Sequence, residues 1–149
     1  MMAGQSALFA EEAAPALSGS AFADRVAGFM RAAYWQKELI VRREAHFGRG
    51  LHGQRRKLDI LATCGGTALA LECKFKASSG SIDEKLTHAL ADAATMPFRA
   101  LVVYGGDGWT VGAGEMLKAH RLAVRFGTSP DEWELHHQVV SAFGWWEML

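Results

Sequence analysis

Residues 57–76 read KLDILATCGGTALALECKFK. Two runs of alternating apolar residues flank Gly65-Gly66, the pattern of a β-hairpin closed by a tight two-residue turn. With the glycines at the turn, Cys64 pairs with Thr67. The register then runs outward to set Asp59 across from Glu72 and Lys57 across from Lys74. Successive side chains on a strand point to opposite faces. Asp59, Glu72 and Lys74 therefore share one face, with Lys57 and Lys76 on the same side. Leu58, Ile60, Leu69, Leu71 and Cys73 take the other. Two opposed carboxylates repel unless a cation lies between them. A hard divalent cation such as Mg²⁺ takes oxygen ligands of this kind.

The chain has 149 residues, half of them hydrophobic, which fits one domain with a substantial core. Its formal net charge is zero, so the molecule as a whole gives no electrostatic sign of a partner. The distribution is more telling. Arg42, Arg43, Arg49, Arg55, Arg56 and Lys57, with His46 and His52, fall in one segment against the single acid Glu44. A local basic patch just before Asp59 suits contact with phosphates, while a solvated charged loop is the plainer alternative. Cys64 and Cys73 match no metal-ligand spacing and no disulfide framework, and read as free thiols of a reducing compartment. No run is long enough to span a membrane, and the first residues lack the basic start of a signal peptide. Residues 1–20 read as a loose Ala-, Gly- and Ser-rich arm, and residues 21–149 as the domain.

Outward from the hairpin, Ser20 is placed to cap a helix over 21–33, with Phe22, Val26, Phe29 and Met30 on one face. Residues 37–47 alternate as a strand, and 48–53 form a loop. After the hairpin, Ser81 caps a helix that has Asp83 and Glu84 in its first turn and Ile82, Leu86, Leu90 and Ala93 facing inward. Residues 99–104 make a short buried strand, followed by the Gly105–Gly108 turn. A helix near 114–122, a strand near 123–126 and a last helix over 130–143 complete the chain. The class is α/β (α+β): a mixed sheet flanked by helices.

Asp59, twelve residues, then Glu72-Cys73-Lys74 on a hairpin resembles the PD-(D/E)xK nuclease superfamily, also called the restriction-endonuclease-like fold, in its phage and bacterial branches. QRRKLDILA before the first acid, ECKFKASSGSIDEK around the second, and VVYGGDGW after them look like the corresponding stretches of such nucleases. The resemblance implies an α-β-β-β-α-β core and Mg²⁺-dependent phosphodiester hydrolysis of DNA, with Mn²⁺ able to substitute, in a bacterial or phage-infected cytoplasm. Asp59, Glu72 and the backbone carbonyl of Cys73 would hold the metal. Lys74 would orient the attacking water or stabilise the transition state. Some relatives add an acid from the first helix, for which Asp24 matches best, with Glu38 and Glu44 as rivals. Arg42, Arg43, Arg49, Arg55, Arg56, Lys57 and Lys76 would contact DNA. The chain departs from the pattern at Leu58, where proline is common, and at Lys76, where many relatives carry glutamine.

The competing reading is a non-catalytic nucleic-acid-binding or assembly protein on the same fold, since fold alone does not choose between activities. His88 on the helix after the motif falls where it could be near the site, with a plain helix-face residue as the favoured reading. His136 and His137 are adjacent and do not face one metal. Trp35, Trp109, Trp133, Trp145 and Trp146 read as core or interface residues. The apolar terminus from Phe143 to Leu149, with Trp145, Trp146 and Met148, raises a homodimer through that end, or simply a cover for the open side of the sheet.

Overall fold

A computed structural model describes residues 18–50, 53–78, 83–127 and 131–149. Helix α1 (Gly19–Ala33) leads through a short 3-10 turn (Trp35–Lys37) into strands β1 (Ile40–Arg49), β2 (Arg55–Cys64) and β3 (Thr67–Phe75). Helix α2 (Asp83–Ala94), β4 (Arg99–Gly105), α3 (Val111–Ala119), β5 (Ala123–Arg125) and α4 (Asp131–Phe143) follow, and a 3-10 turn (Trp146–Met148) ends the chain. The five strands form one sheet in the order β1-β2-β3-β4-β5. The first three are antiparallel, while β4 and β5 join in parallel. A parallel neighbour needs a crossover, and α2 is that crossover between β3 and β4. This is the restriction-endonuclease-like mixed sheet that the sequence predicts.

The hairpin forms as its glycines dictate. Cys64 pairs with Thr67, and Gly65 sits at φ 60°, the positive angle a tight hairpin turn demands of its first central residue. On one face of the sheet, α1 and α4 bury Phe22, Val26, Met30, Leu135 and Val139 against Ile60, Ala62, Leu69, Leu71, Cys73, Leu101 and Val103. On the other, α2 and α3 cover Val102 and Tyr104 with Leu86, Leu90 and Leu117. Each fully buried large aliphatic contributes about 1.5–3 kcal/mol relative to exposure, so both helical layers are held by their apolar stripes.

Several local readings are corrected. Ser18, not Ser20, caps α1, its hydroxyl accepting from the Ala21 N–H at 3.0 Å. The helix thus starts at Gly19, two residues earlier than read; residues 1–17 and the Ser81 cap lie outside the described residues. The first strand starts at Ile40, because residues 35–37 wind into a 3-10 turn that Glu38 ends at φ 57°. Helix α3 starts at Val111, where Thr110 caps it by accepting from Ala113 N–H at 3.2 Å, and it stops at Ala119. Leu58 does not share a face with Ile60. It packs with Leu61, Ala70 and Ala100 under α2. Leu58 and Leu61 are three apart, so the two-residue alternation breaks between them. At that level the neighbouring strand carries Glu44 at φ 57°, and the β2–β3 pairing ends at Ile60 and Leu71.

Part of the C-terminal apolar segment folds back on its own domain. Trp145 packs against the core, with its ring 4.7 Å from Phe143 and 5.6 Å from Tyr34, and Met148 packs beside it. The Tyr34 hydroxyl donates to His136 Nδ1 at 2.8 Å, and His136 Nε2 donates to the Met148 carbonyl at 3.0 Å. Lys37 pairs with Glu147. Trp146 and Leu149 stay exposed. Among the described residues, no helix is long and apolar enough to cross a membrane.

Arg56, read as a phosphate contact, has a different place. It is 8% exposed and forks onto Asp92 of α2 with two bonds of 3.0 Å, while also donating to Thr95 Oγ1 at 3.1 Å. Removing one partner of such a buried pair leaves the other charge uncompensated. Asp92→Ala is therefore expected to lower unfolding stability by about 3 kcal/mol in urea titration, and replacing both residues with apolar ones should recover most of the loss. A single-variant loss below about 0.5 kcal/mol, the usual scale of a surface substitution, would show that the pair does not anchor α2.

Candidate active site

The site grows from the point where β2 and β3 part. Their ladder closes from the turn to Ile60 and Leu71 and records no pairing of Asp59 with Glu72 or of Lys57 with Lys74. Past that point a β3 backbone N–H aimed at β2 has no strand acceptor, and a buried donor must find one. Asp59 supplies it: its Oδ2 accepts from the Cys73 N–H at 2.8 Å. The carboxylate is thereby drawn across the gap between strands and held beside Glu72. From the other side, Arg43 donates from Nε to the Asp59 carbonyl at 3.1 Å and pairs with Asp24 of α1 at 2.5 Å. The backbone and the side chain of Asp59 are both fixed.

Glu72 is the strained member. Burial raises its pKa first, and the charge of Asp59 raises it further. Lys74 opposes both, through its charge and a hydrogen bond, with Nζ 3.0 Å from Glu72 Oε2. A hydrogen bond between the two carboxyls adds to the rise, since such a bond requires a proton on one of them. Burial also pushes the Cys73 thiol well above its usual range, helped by the two acids. Cys73 is thus an inert core thiol, and it is free, as is Cys64.

Glu72 and Lys74 open onto a cleft of about 420 Å³ whose other lining residues are Lys85, His88 and Ala89 of α2. Lys76 lies deeper than expected. It is 6% exposed, with its ammonium 5.8 Å from the Trp109 ring centroid. Its backbone is pinned to the loop after β4: Lys76 N–H donates to the Gly105 carbonyl at 3.2 Å, and Gly108 N–H to the Lys76 carbonyl at 2.8 Å. A Cβ on Gly106 would collide with the Lys76 carbonyl, and Gly106 sits at φ 87°. Glycine there is a condition of the close approach.

The remaining candidates divide. Asp24 is tied to Arg43. Glu44 lies 3.9 Å from both Arg43 and Lys57. Glu38 is an exposed residue at the end of the 3-10 turn. Among the described residues, no group of three or more acidic, histidine or cysteine side chains gathers as a metal cage. Arg42, Arg49 and Arg55 are exposed and Lys57 is half-exposed; Arg49 Nη1 donates to the Gly53 carbonyl at 3.0 Å. Arg43 and Arg56, by contrast, work inside the fold. Sequence reasoning missed Lys85 as a lining residue and placed His88 either near the site or, by preference, on an ordinary helix face; it lines the cleft. Their spacing from Asp92 along one helical stripe was the available signal.

The Asp59–Glu72 pair suits one hard divalent cation. Two adjacent carboxylates supply charge and oxygen, and Mg²⁺ commonly takes only one or two protein carboxylates, with waters and phosphate oxygens making up the rest.

The raised Glu72 fixes a sign. The folded protein keeps this proton at a pH where the unfolded chain, with an ordinary value of 4.5, has released it. Without metal, this group therefore makes stability fall as pH rises from about 4.5 through the raised folded value, after which the loss is constant. Urea unfolding of wild type and Glu72→Gln in EDTA reads it directly. The stability advantage of the glutamine variant should grow across that window, and a difference that does not vary with pH would remove the repulsion.

A model of the PD-(D/E)XK nuclease superfamily domain matches residues 13–146. No curated protein gives a significant match. The match takes in the β1-β2-β3 sheet, the α2 crossover, and the acid and acid-x-lysine positions on the hairpin. The chain belongs to the PD-(D/E)XK nuclease superfamily.

Proposed function

We propose that the chain is a Mg²⁺-dependent deoxyribonuclease that hydrolyses phosphodiester bonds at the mouth of the α2 cleft. The observation that carries this is the forced meeting of Asp59 and Glu72, with Lys74 3.0 Å from Glu72. A structural salt bridge needs one acid and one base. Here a second carboxylate is held against the first and adds to the rise that burial already imposes on the Glu72 pKa. That arrangement is costly for the free protein and becomes favourable when a cation is shared between the acids.

Asp59 and Glu72 would hold the metal, with the Cys73 carbonyl as a third oxygen. When bound, Mg²⁺ polarises a phosphoryl oxygen and lowers the pKa of a water. Asp59 keeps its place through the Cys73 N–H and through Arg43 on its own carbonyl. The positive charge of a bound cation would favour the ionised form of Glu72. Lys74 then presents its ammonium on the same strand face, where it orients the attacking water or stabilises charge developing at phosphorus. Arg42, Arg55 and Lys57 lie exposed on β1 and β2 and suit the phosphates of the flanking backbone. Two free thiols fit a reducing cytoplasm. The exposed Trp146 and Leu149 leave an apolar end through which two copies could pair, giving one site per DNA strand.

Incubation with supercoiled plasmid tests the reading. Nicking or cutting is expected with Mg²⁺ or Mn²⁺ and none in EDTA. Asp59→Asn, Glu72→Gln and Lys74→Ala should each lower the rate by at least about 100-fold, the scale of losing one electrostatic stabiliser of the transition state. Cleavage in excess chelator, or an unchanged rate for Lys74→Ala, would refute it.

A further inference from the structure

Lys85, His88, Ala89 and Asp92 lie at helical spacing on one flank of α2. The buried Leu86 and Leu90 face the sheet beside them. The stripe is anchored at its far end, where Arg56 grips Asp92 through two bonds of 3.0 Å. At 1.5 Å rise per residue, His88 lies about 6 Å and Lys85 about 10 Å along the axis from that anchor. The same helix rotation that points Asp92 at β2 thus brings Lys85 and His88 over the cleft, where they face Glu72 and Lys74. Lys85 is exposed and His88 half-buried.

The charge balance of the cleft gives this wall a purpose. A polyanion approaching its floor meets Glu72, with Asp59 held beside it, both negative once ionised. The floor cation, Lys74, sits 3.0 Å from Glu72 and is partly neutralised by it. Lys57, on the neighbouring strand, lies 3.9 Å from Glu44. A phosphate inside the cleft gains from positive charge and N–H donors beyond those of the floor, and α2 presents both toward it.

Building on the nuclease reading, we propose that Lys85 and His88 are substrate-binding residues that hold backbone phosphates of the DNA strand beside the scissile bond. Lys85 supplies a full charge. His88 supplies a ring N–H donor. The substrate strand then runs between β3 and the α2 flank rather than across β1 alone, and the Arg56–Asp92 anchor sets the width of that channel. Contacts of this kind add affinity without reading bases.

Binding separates this from the chemistry. Each variant is made in an Asp59→Asn background, so that no cleavage intervenes. Fluorescence anisotropy with a short DNA duplex is then followed over a salt series. Lys85→Ala should weaken binding and flatten the log-log salt slope by about 0.9, the change for one lost phosphate contact on duplex DNA. Lys85→Arg should restore the slope. His88→Ala should weaken binding, and His88→Gln, which keeps an N–H donor, should recover part of it. Lys118→Ala, an exposed lysine on α3 with 74% of its side chain accessible, should change neither affinity nor slope. Parental affinity and slope in both alanine variants would overturn the proposal, as would an equal loss in Lys118→Ala. If wild type still cleaves in that case, only this contact falls. Failure of wild type to bind or cleave DNA would remove both readings.

Discussion

The bond from the Cys73 N–H to the Asp59 carboxylate, 2.8 Å long, sits where a β-ladder runs out. A strand donor left unmatched there would cost about 1–3 kcal/mol. The chain satisfies it with a side chain instead of a backbone carbonyl, and that choice fixes where negative charge accumulates. Asp59 reaches across to β3 and arrives beside Glu72, which burial has already made reluctant to ionise. One hydrogen bond therefore satisfies the sheet where the hairpin parts and assembles a carboxylate pair. The rest of the fold keeps that pair in place.

Its supports come from both layers. From the α1 side, Arg43 bridges Asp24 and the Asp59 carbonyl, which steadies the strand that carries Asp59. From the α2 side, Arg56 fixes the crossover helix through Asp92. The chain leaving β3 is clamped at Lys76 by the Gly105–Gly108 loop, which glycine at position 106 lets approach closely. Two arginines read as DNA contacts are in this way part of the frame. Exposed basic charge on this side of the frame is carried by Arg42, Arg55, Lys57 and Lys85, with Lys74 half-buried beside Glu72.

The hairpin and its register were legible because Gly65-Gly66 admits few turns, and the turn counts out every pairing up to Ile60 and Leu71. The order of helices and strands followed from hydrophobic period. What lay beyond local rules was lost. Leu58 changes face at a point level with Glu44, a non-glycine residue at positive φ, and composition gives no warning of that. Arg56 looked like one more surface cation because its acid, Asp92, lies 36 residues away. The start of α3 was legible in principle: Thr110 is a good cap, but glycines at 112 and 114 blur the helix beginning there. For His88 the sequence left two places open, near the site or on an ordinary helix face, because a lone histidine on a helix carries little signal until the helix is docked against the sheet.

The central claim is that Asp59 and Glu72 are held in repulsion that a divalent cation relieves. Carboxyl ¹³C NMR titration of Glu72 measures this most directly in three states: free wild type, free Asp59→Asn and Mg²⁺-bound wild type. The account predicts a Glu72 pKa above 4.5 in the free protein, a lower one in Asp59→Asn, and ionisation shifted to lower pH when Mg²⁺ is added. A Glu72 that titrates at or below its ordinary value in the free protein, and moves with neither Asp59→Asn nor Mg²⁺, would contradict it.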